Sequence, residues 1–307
     1  MQMTDHLPTA NAGWGQKLVM LGLTMIPFIG FVAAVALLWN TAVTWLDLVL
    51  LAVLYVFCGF GITIGFHRML THRAFEAVRP LKAALLIFGS MAIQGPAITW
   101  AVDHRTHHAH SDKEGDPHSP HHGFGRGPWG AFKGLVHAHM GWLFGHSRSD
   151  RERYAKDILQ DRMTMAVSRL FPLWAVLTFV VPFVLGGLLT MSWKGAVTGL
   201  VWGGLVRLFF NHHVTWSVNS ICHFFGRRPF AAGDHSTNNW VLALPSLGES
   251  WHHNHHVFPT SAFHGLSWRQ IDLSGWLIAV WEKIGLVRNV RKPSAEQIGR
   301  KRAAVGA

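Results

Sequence analysis

Nine histidines in this chain stand at spacings that suit metal ligation. His67 and His72 belong to His-Arg-Met-Leu-Thr-His, and His104, His107 and His108 to Asp-His-Arg-Thr-His-His. His252, His255 and His256 come from Trp-His-His-Asn-His-His, and His223 follows Asn219 by four residues. Positions i, i+3 and i+4 share one face of a helix, so each His-x-x-His-His set should aim three imidazoles at one point. Asn219 and His223 should share a face in the same way. His67 and His72, five apart, stand about 140° apart around an α-helix, which predicts a helix that ends between them. Imidazole suits zinc, copper, iron or nickel. Nine imidazoles exceed what one ion can hold, so two ions are implied. No Cys-x-x-Cys pattern marks a structural zinc site. The other histidines, among them His110, His118, His121, His122, His137, His139, His235 and His264, read as surface or hydrogen-bonded side chains.

The elements that must carry these residues are membrane helices. Half of the 307 residues are hydrophobic, 14% are charged, and there are 15 Trp and 20 Phe. A soluble chain carries about 25% charged residues, which argues against an ordinary soluble enzyme and against disorder. Four apolar stretches, 18–39, 44–66, 170–190 and 196–216, are each about the length a helix needs to cross a bilayer. They hold Asp47 and Arg207 as interior charges, and short polar links join them into two hairpins. A further apolar stretch, 81–102, is broken by Gly89, Gln94, Gly95 and Pro96 and is expected as helix within the cytoplasmic part. Of the 27 Lys and Arg, 13 lie between His67 and Arg162 and 10 beyond Asn219. By the positive-inside rule both termini and the central segment are cytoplasmic. The net charge of +11 is therefore a topology signal, and nucleic acid is not an expected partner. The two cysteines, Cys58 and Cys222, make no disulfide framework, which places the chemistry on the reducing side.

The expected fold is an all-α integral membrane protein, with four transmembrane helices in two hairpins under a cytoplasmic helical domain that holds a His-rich di-iron site. Its expected parts are an N-terminal segment (1–17), hairpin one (18–66), a cytoplasmic region (67–168), hairpin two (169–218), a second cytoplasmic region (219–291) and a basic tail (292–307). A nitrogen-rich pair of metals beside a bilayer suggests iron performing oxygen chemistry on a lipid chain.

From residue 57 to residue 290 the sequence closely resembles the membrane fatty-acyl desaturases of the stearoyl-CoA Δ9 type, in a bacterial form. The likeness is carried by Gly-Phe-Gly-Ile-Thr-Ile-Gly-Phe-His67, by Asp-His-Arg-Thr-His-His-Ala-His-Ser-Asp-Lys-Glu-Gly-Asp-Pro from Asp103 to Pro117, and by Gly-Trp-Leu-Phe from Gly141. Asn219 to His223 and Gly248 to Pro259 complete it. The resemblance implies a di-iron centre held by the nine clustered histidines, with Asn219 reaching a metal through water. It implies that Asp112, Asp116 and Glu249 orient ligands. Trp100 and Asp103 would lie near the entrance of an acyl tunnel, and Thr215 and Trp216 at its bend. Val102 and Gly95 stand where animal relatives place an arginine and an asparagine that contact coenzyme A. The implied activity is O2-dependent insertion of a cis double bond, at Δ9, into a saturated acyl chain on coenzyme A, in the bacterial cell membrane. Electrons would come from a separate donor, ferredoxin with its reductase or a b-type cytochrome. The alternatives are an acyl-lipid desaturase, a His-rich di-iron lipid hydroxylase and, from a different class, a metal transporter.

Overall fold

The computed structural model describes residues 13–38, 43–145 and 150–303. Most of the expected N-terminal segment, the link of the first hairpin and the last residues of the tail lie outside the described residues. Helix α1 (Trp14–Ala33) passes into a π-helical turn, Ala34–Leu38. Helix α2 (Trp45–Phe60) begins on a reciprocal cap. Thr44 accepts from the Asp47 N–H at 3.3 Å, and the Asp47 carboxylate accepts from the Thr44 N–H at 2.9 Å. The buried acid in this apolar stretch is thus a helix cap. Helix α2 runs on, unbroken, as a π-helical segment, Gly61–Thr71.

The stretch expected as interior helix is two helices, α3 (Arg79–Met91) and α4 (Ala97–His110). Ile93 and Gly95, both at positive φ, make the turn between them. The C-terminal carbonyls of α3 end inside the protein and would be costly if left unpaired. Thr178 donates to the Met91 carbonyl at 2.5 Å and the Arg207 guanidinium donates to it at 3.2 Å. The His212 Nε2 lies 2.9 Å from the Ala92 carbonyl. Arg207 also reaches the Gly203 and Thr178 carbonyls, so its buried charge is solvated by backbone.

Helix α5 (Pro128–His139) and three short helices, α6 (Arg151–Tyr154), α7 (Lys156–Leu159) and α8 (Arg162–Arg169), lead to α9 (Phe171–Thr190). Met191 turns the chain in a left-handed conformation, and Ser192 caps α10 (Trp193–Gly199). Helix α10 continues through a π-helical segment, Leu200–Val206, into α11 (Arg207–Ser220), which tightens into a 3-10 turn at Ile221–His223. The hairpin packs backbone to backbone, since a Cβ on Gly186 would meet the Gly195 carbonyl at 2.2 Å. Helices α12 (His252–Val257), α13 (Leu273–Lys283) and α14 (Ala295–Ala303) follow. A two-residue ribbon, β1 (Glu76–Ala77) antiparallel to β2 (Val287–Arg288), is the one departure from the all-α expectation among the described residues.

Three helices, not four, are long and apolar enough to cross a membrane among the described residues: Trp14–Ala36, Trp45–Thr71 and Phe171–Thr190. The fourth expected span is helical throughout, but it falls short in apolarity. Buried Arg207, Asn211 and His212 interrupt its hydrophobic character.

The π-helical segment is packed on all sides, and Gly61 lies against α3. A Cβ at Gly61 would meet the Gly89 nitrogen at 2.1 Å, and nothing there is a flexible side-chain end. Gly61→Ala is therefore expected to cost at least the roughly 1–3 kcal/mol typical of overpacking. It should appear as a lowered unfolding midpoint in detergent, and an unchanged midpoint would contradict the contact.

Candidate metal centre and acyl cavity

The nine clustered imidazoles lie in two groups, each tight enough to hold a metal ion. Five form the first: His67, His72, His104, His108 and His255. Four form the second: His107, His223, His252 and His256. Each His-x-x-His-His set is therefore divided rather than focused on one point. Successive helical residues turn by about 100°, so His107 and His108 diverge around α4 while His104 and His108 stay together. Helix α12 divides in the same way, sending His255 to the first group and His252 and His256 to the second.

The helix carrying His67 does not end before His72. It widens instead, and the His72 N–H donates to the His67 carbonyl at 3.1 Å, an i to i+5 bond. That pattern stacks residues five apart, as α-helical bonding cannot, and brings the two rings to 4.9 Å between centroids.

Within the first group the His255 Nε2 lies 3.0 Å from that of His67 and 2.9 Å from that of His108, which is 3.0 Å from that of His104. The His72 Nε2 is buried without a partner. In the second group the His223 and His252 Nε2 atoms are 3.1 Å apart, and those of His107 and His256 are 3.3 Å apart.

Carboxylates hold the outer edges of four rings. Because a carboxylate only accepts, each Nδ1 must carry the proton. His107 donates to Asp116 at 3.0 Å, His223 to Asp112 at 2.9 Å and His256 to Asp234 at 2.7 Å, while His67 donates to Glu249. Arg68, fully buried, braces Glu249 at 3.0 Å and Asp272 at 2.9 Å. Asp112, Asp116 and Glu249 stand where sequence reading expects orienting acids. Asp234 has no spacing signal; the chain folds it against α12 through the Arg227 and Asn238 pairing.

Burial and neighbouring imidazoles hold His72, His104, His108, His252, His255 and His256 well below the ordinary histidine value. Burial also opposes charge on His107, yet Asp116 holds that ring above its ordinary value. Burial would raise Asp112, but the hydrogen bond and charge of His223 bring it down to about 2.

This donor set fits transition-metal ions. With the Nδ1–H donated to its carboxylate, a neutral ring presents a bare lone pair on Nε2, and the Nε2 atoms of His107 and His256 face each other at 3.3 Å. Two nitrogens each about 2.1 Å from one ion at near-right angles stand about 3 Å apart, close to the separations found. Two histidines that sequence reading left as ordinary also join: His264 with His67 and Glu249, and His118 with His107 and Asp116. Both ring nitrogens of His264 are buried without a hydrogen-bond partner, and its Nδ1 lies 3.6 Å from Glu249.

A cavity opens beside both groups, walled by α2 and its π-helical extension on one side and α11 on the other. His67, His104 and His252 line its metal end, and it runs past Thr63 and Gly59 to Tyr55. Trp100, Thr215 and Asn219 line it as well. Gln94, which sequence reading did not place here, links two of them. It donates to the Thr215 Oγ1 at 2.9 Å and accepts from the Trp100 Nε1 at 3.2 Å. Trp216 is buried, stacked on His212 with centroids 5.0 Å apart, and is not among the residues lining the cavity. One residue of helix turn separates it from Thr215, which is enough to change its face. Asp103 lies on α4 outside the cavity lining.

The sequence model of one protein family, fatty acid desaturase, matches residues 43–273. A hex-5-enoyl-[acyl-carrier protein] acetylenase of Moorena producens (strain JHB) is 42% identical, covering 91% of this chain and 88% of its own length. An sn-1 stearoyl-lipid 9-desaturase of Anabaena variabilis is 36% identical, covering 96% and 98%. An acyl-CoA C20 Delta5-desaturase of Anemone leveillei is 34% identical, covering 93% and 87%.

Losing a partner that orients a metal ligand typically costs about 10–100-fold in affinity. Asp234→Asn should therefore loosen metal held by His256, seen as earlier release in a chelator titration. Unchanged retention would show that Asp234 has no such role. Acid should also destabilise the metal-free protein. Below the ordinary histidine value of 6.5 the unfolded chain takes up protons that the six lowered imidazoles refuse. The unfolded state then binds more protons, so stability drops as the pH is lowered, by about 1.4 kcal/mol per unit for each group. His107 works in the opposite sense and is outnumbered. Unfolding midpoints of metal-stripped protein at pH 7.5, 6.5 and 5.5 should drop steeply across the last step, and a flat profile would contradict the burial.

Proposed function

This chain belongs to the fatty acid desaturase family, and we propose that it is a di-iron, O2-dependent acyl desaturase that forms a cis double bond at Δ9 of a saturated chain carried on coenzyme A. The observation that carries the reading is the cavity that runs along α2 and ends at His67, His104 and His252. Its lining of Ile62, Val214, Val218 and Leu247 suits an apolar chain, which would approach both imidazole groups there.

The nine histidines would hold two iron ions, with Asn219 close by on the α11 wall. Bound iron supplies, with O2 and electrons from a separate donor, the oxidising power to break unactivated C–H bonds. The stoichiometry is one chain, one O2, two electrons and two protons giving one alkene and two waters. The protein's part is positioning, since the chain has no functional group near the reacting carbons. Trp100, tied to Thr215 through Gln94, narrows the cavity beside His104 and fixes which methylenes stop there. Glu249, Asp112, Asp116 and Asp234 would hold the Nδ1 protons and keep the imidazoles aimed. The apolar walls exclude water, which protects the reacting carbons.

A second reading, desaturation of a chain on an intact glycerolipid, draws on two observations. Val102 is buried at 1% exposure and Gly95 offers no side chain, so neither replaces a coenzyme A contact. The Anabaena relative is named for a lipid substrate. The bacterial cell membrane, with the metal centre on the cytoplasmic side, is the proposed location. Ferredoxin with its reductase or a b-type cytochrome is the proposed donor.

Expression in a host lacking its own Δ9 desaturase, with the His255→Ala variant beside it, tests the reaction. Gas chromatography and mass spectrometry of the fatty acids should show a new cis alkene from the parent alone. A hydroxy acid instead would assign oxygen insertion. Supplying reduced membranes with acyl-CoA, acyl-carrier protein or labelled glycerolipid then separates the carriers.

A further inference from the structure

The segment 239–248 runs back from the metal centre along α2, and its chemistry is that of a lipid contact. Glu249 stands at His67, Leu247 closes on Gly59, where a Cβ would meet its Cδ1 at 2.7 Å, and the Pro245 carbonyl accepts from the Tyr55 hydroxyl at 2.5 Å. Tyr55 lies twelve residues before His67, up to about 18 Å along a helix rising 1.5 Å per residue. The hydrocarbon layer is about 30 Å thick. A loop tied to Tyr55 therefore reaches well down a helix read as crossing that layer.

Its tip is apolar and unpartnered. Trp240 is 77% exposed, Val241 62% and Leu244 60%, and no charged residue occurs from Ser236 to Gly248. These side chains would be an aggregation liability in water. Much of the loop's backbone is paired internally, as a lipid surrounding demands. Asn239 Oδ1 accepts from the Val241 and Leu242 N–H groups at 3.0 and 3.3 Å. Ser246 donates to the Leu242 carbonyl at 2.9 Å, Leu247 to Leu244 at 3.1 Å and Gly248 to Ala243 at 2.9 Å. Ser250 Oγ closes the loop on the Asn239 carbonyl at 2.6 Å.

We propose that residues 239–248 form a re-entrant cap seated in the bilayer, with Trp240, Val241 and Leu244 in contact with lipid acyl chains. The opposite side of the same cap, Pro245 to Leu247, lines the acyl cavity, so a single turn of chain separates substrate from membrane lipid. The inference rests on the reading that α2 crosses a bilayer.

Depth-dependent quenching tests it. Val241→Cys, and independently Leu244→Cys, would carry a polarity-sensitive fluorophore in vesicles of phosphatidylcholine and phosphatidylglycerol. The native Cys58 and Cys222 are buried. Val53→Cys, on the exposed face of α2, and Arg300→Cys, on α14, are the references. The labels at 241 and 244 should be quenched several-fold more by acyl-chain nitroxides than by a water-soluble nitroxide, as at Val53, with the reverse at Arg300. Quenching from water at 241 and 244 with lipid quenching kept at Val53 overturns the cap while the spanning reading stands. Protection from both quenchers at 241 and 244 would show that protein covers the loop and would also overturn it. Absence of lipid quenching at Val53 removes the spanning reading, and the cap falls with it.

Discussion

Unshared electron pairs on imidazole nitrogens, turned toward one another in a closed interior, impose the condition that the surrounding structure answers. Such a cluster repels itself unless a cation sits among the rings and each ring is locked in one tautomer. The chain has only 16 acidic residues. Four of them, Asp112, Asp116, Asp234 and Glu249, sit on the outer ring nitrogens. A fifth, Asp272, shares the buried Arg68 with Glu249. Nearly a third of the acids in the chain are gathered at this one centre. Arg68 keeps Glu249 from being an isolated buried anion, which would be far more costly than a paired one.

The architecture follows from delivering those rings. Two continuous helices, each softened by a π-helical segment, bring His67 and His223 to neighbouring points. Helices α4 and α12 enter between them, and each supplies both groups because three histidines within five residues cover an arc too wide for one ion. The space left between α2 and α11 is the cavity. The buried end of α3 braces it from one side, its last carbonyls held by Thr178, Arg207 and His212.

Much of this is legible in the sequence, and the failures have physical causes. Spacing singles out the nine histidines, because few other demands place His-x-x-His-His twice in one apolar chain. Spacing assumed α-helical geometry, however, so it placed a helix end between His67 and His72 and could not see the wider turn. Hydropathy finds the fourth long helix and its interior Arg207, but not the carbonyls of Met91, Thr178 and Gly203 that solvate that charge. Asp234 lies eighteen residues before His252, with no regular element between, so only the folded loop brings it to His256. Gln94 and His264 are likewise ordinary in sequence and become site neighbours through packing alone. Thr215 and Trp216 are adjacent on one helix and so face different directions, and only Thr215 is in the cavity lining.

The i to i+5 bonding that joins His67 to His72 makes the number of residues in this stretch as important as their identity. A π-helical segment holds a surplus of chain that α-helical bonding would expel. Removing one residue between His67 and His72 would let the helix relax to α-helical bonding, and the change in rise and twist would move His67 relative to His72. Every contact upstream would rotate with it, including the face that Gly61 presents to Gly89. Side chains here can be exchanged where volume allows, but insertions and deletions cannot be absorbed. Chain length is therefore the coordinate along which this metal centre is least free to vary.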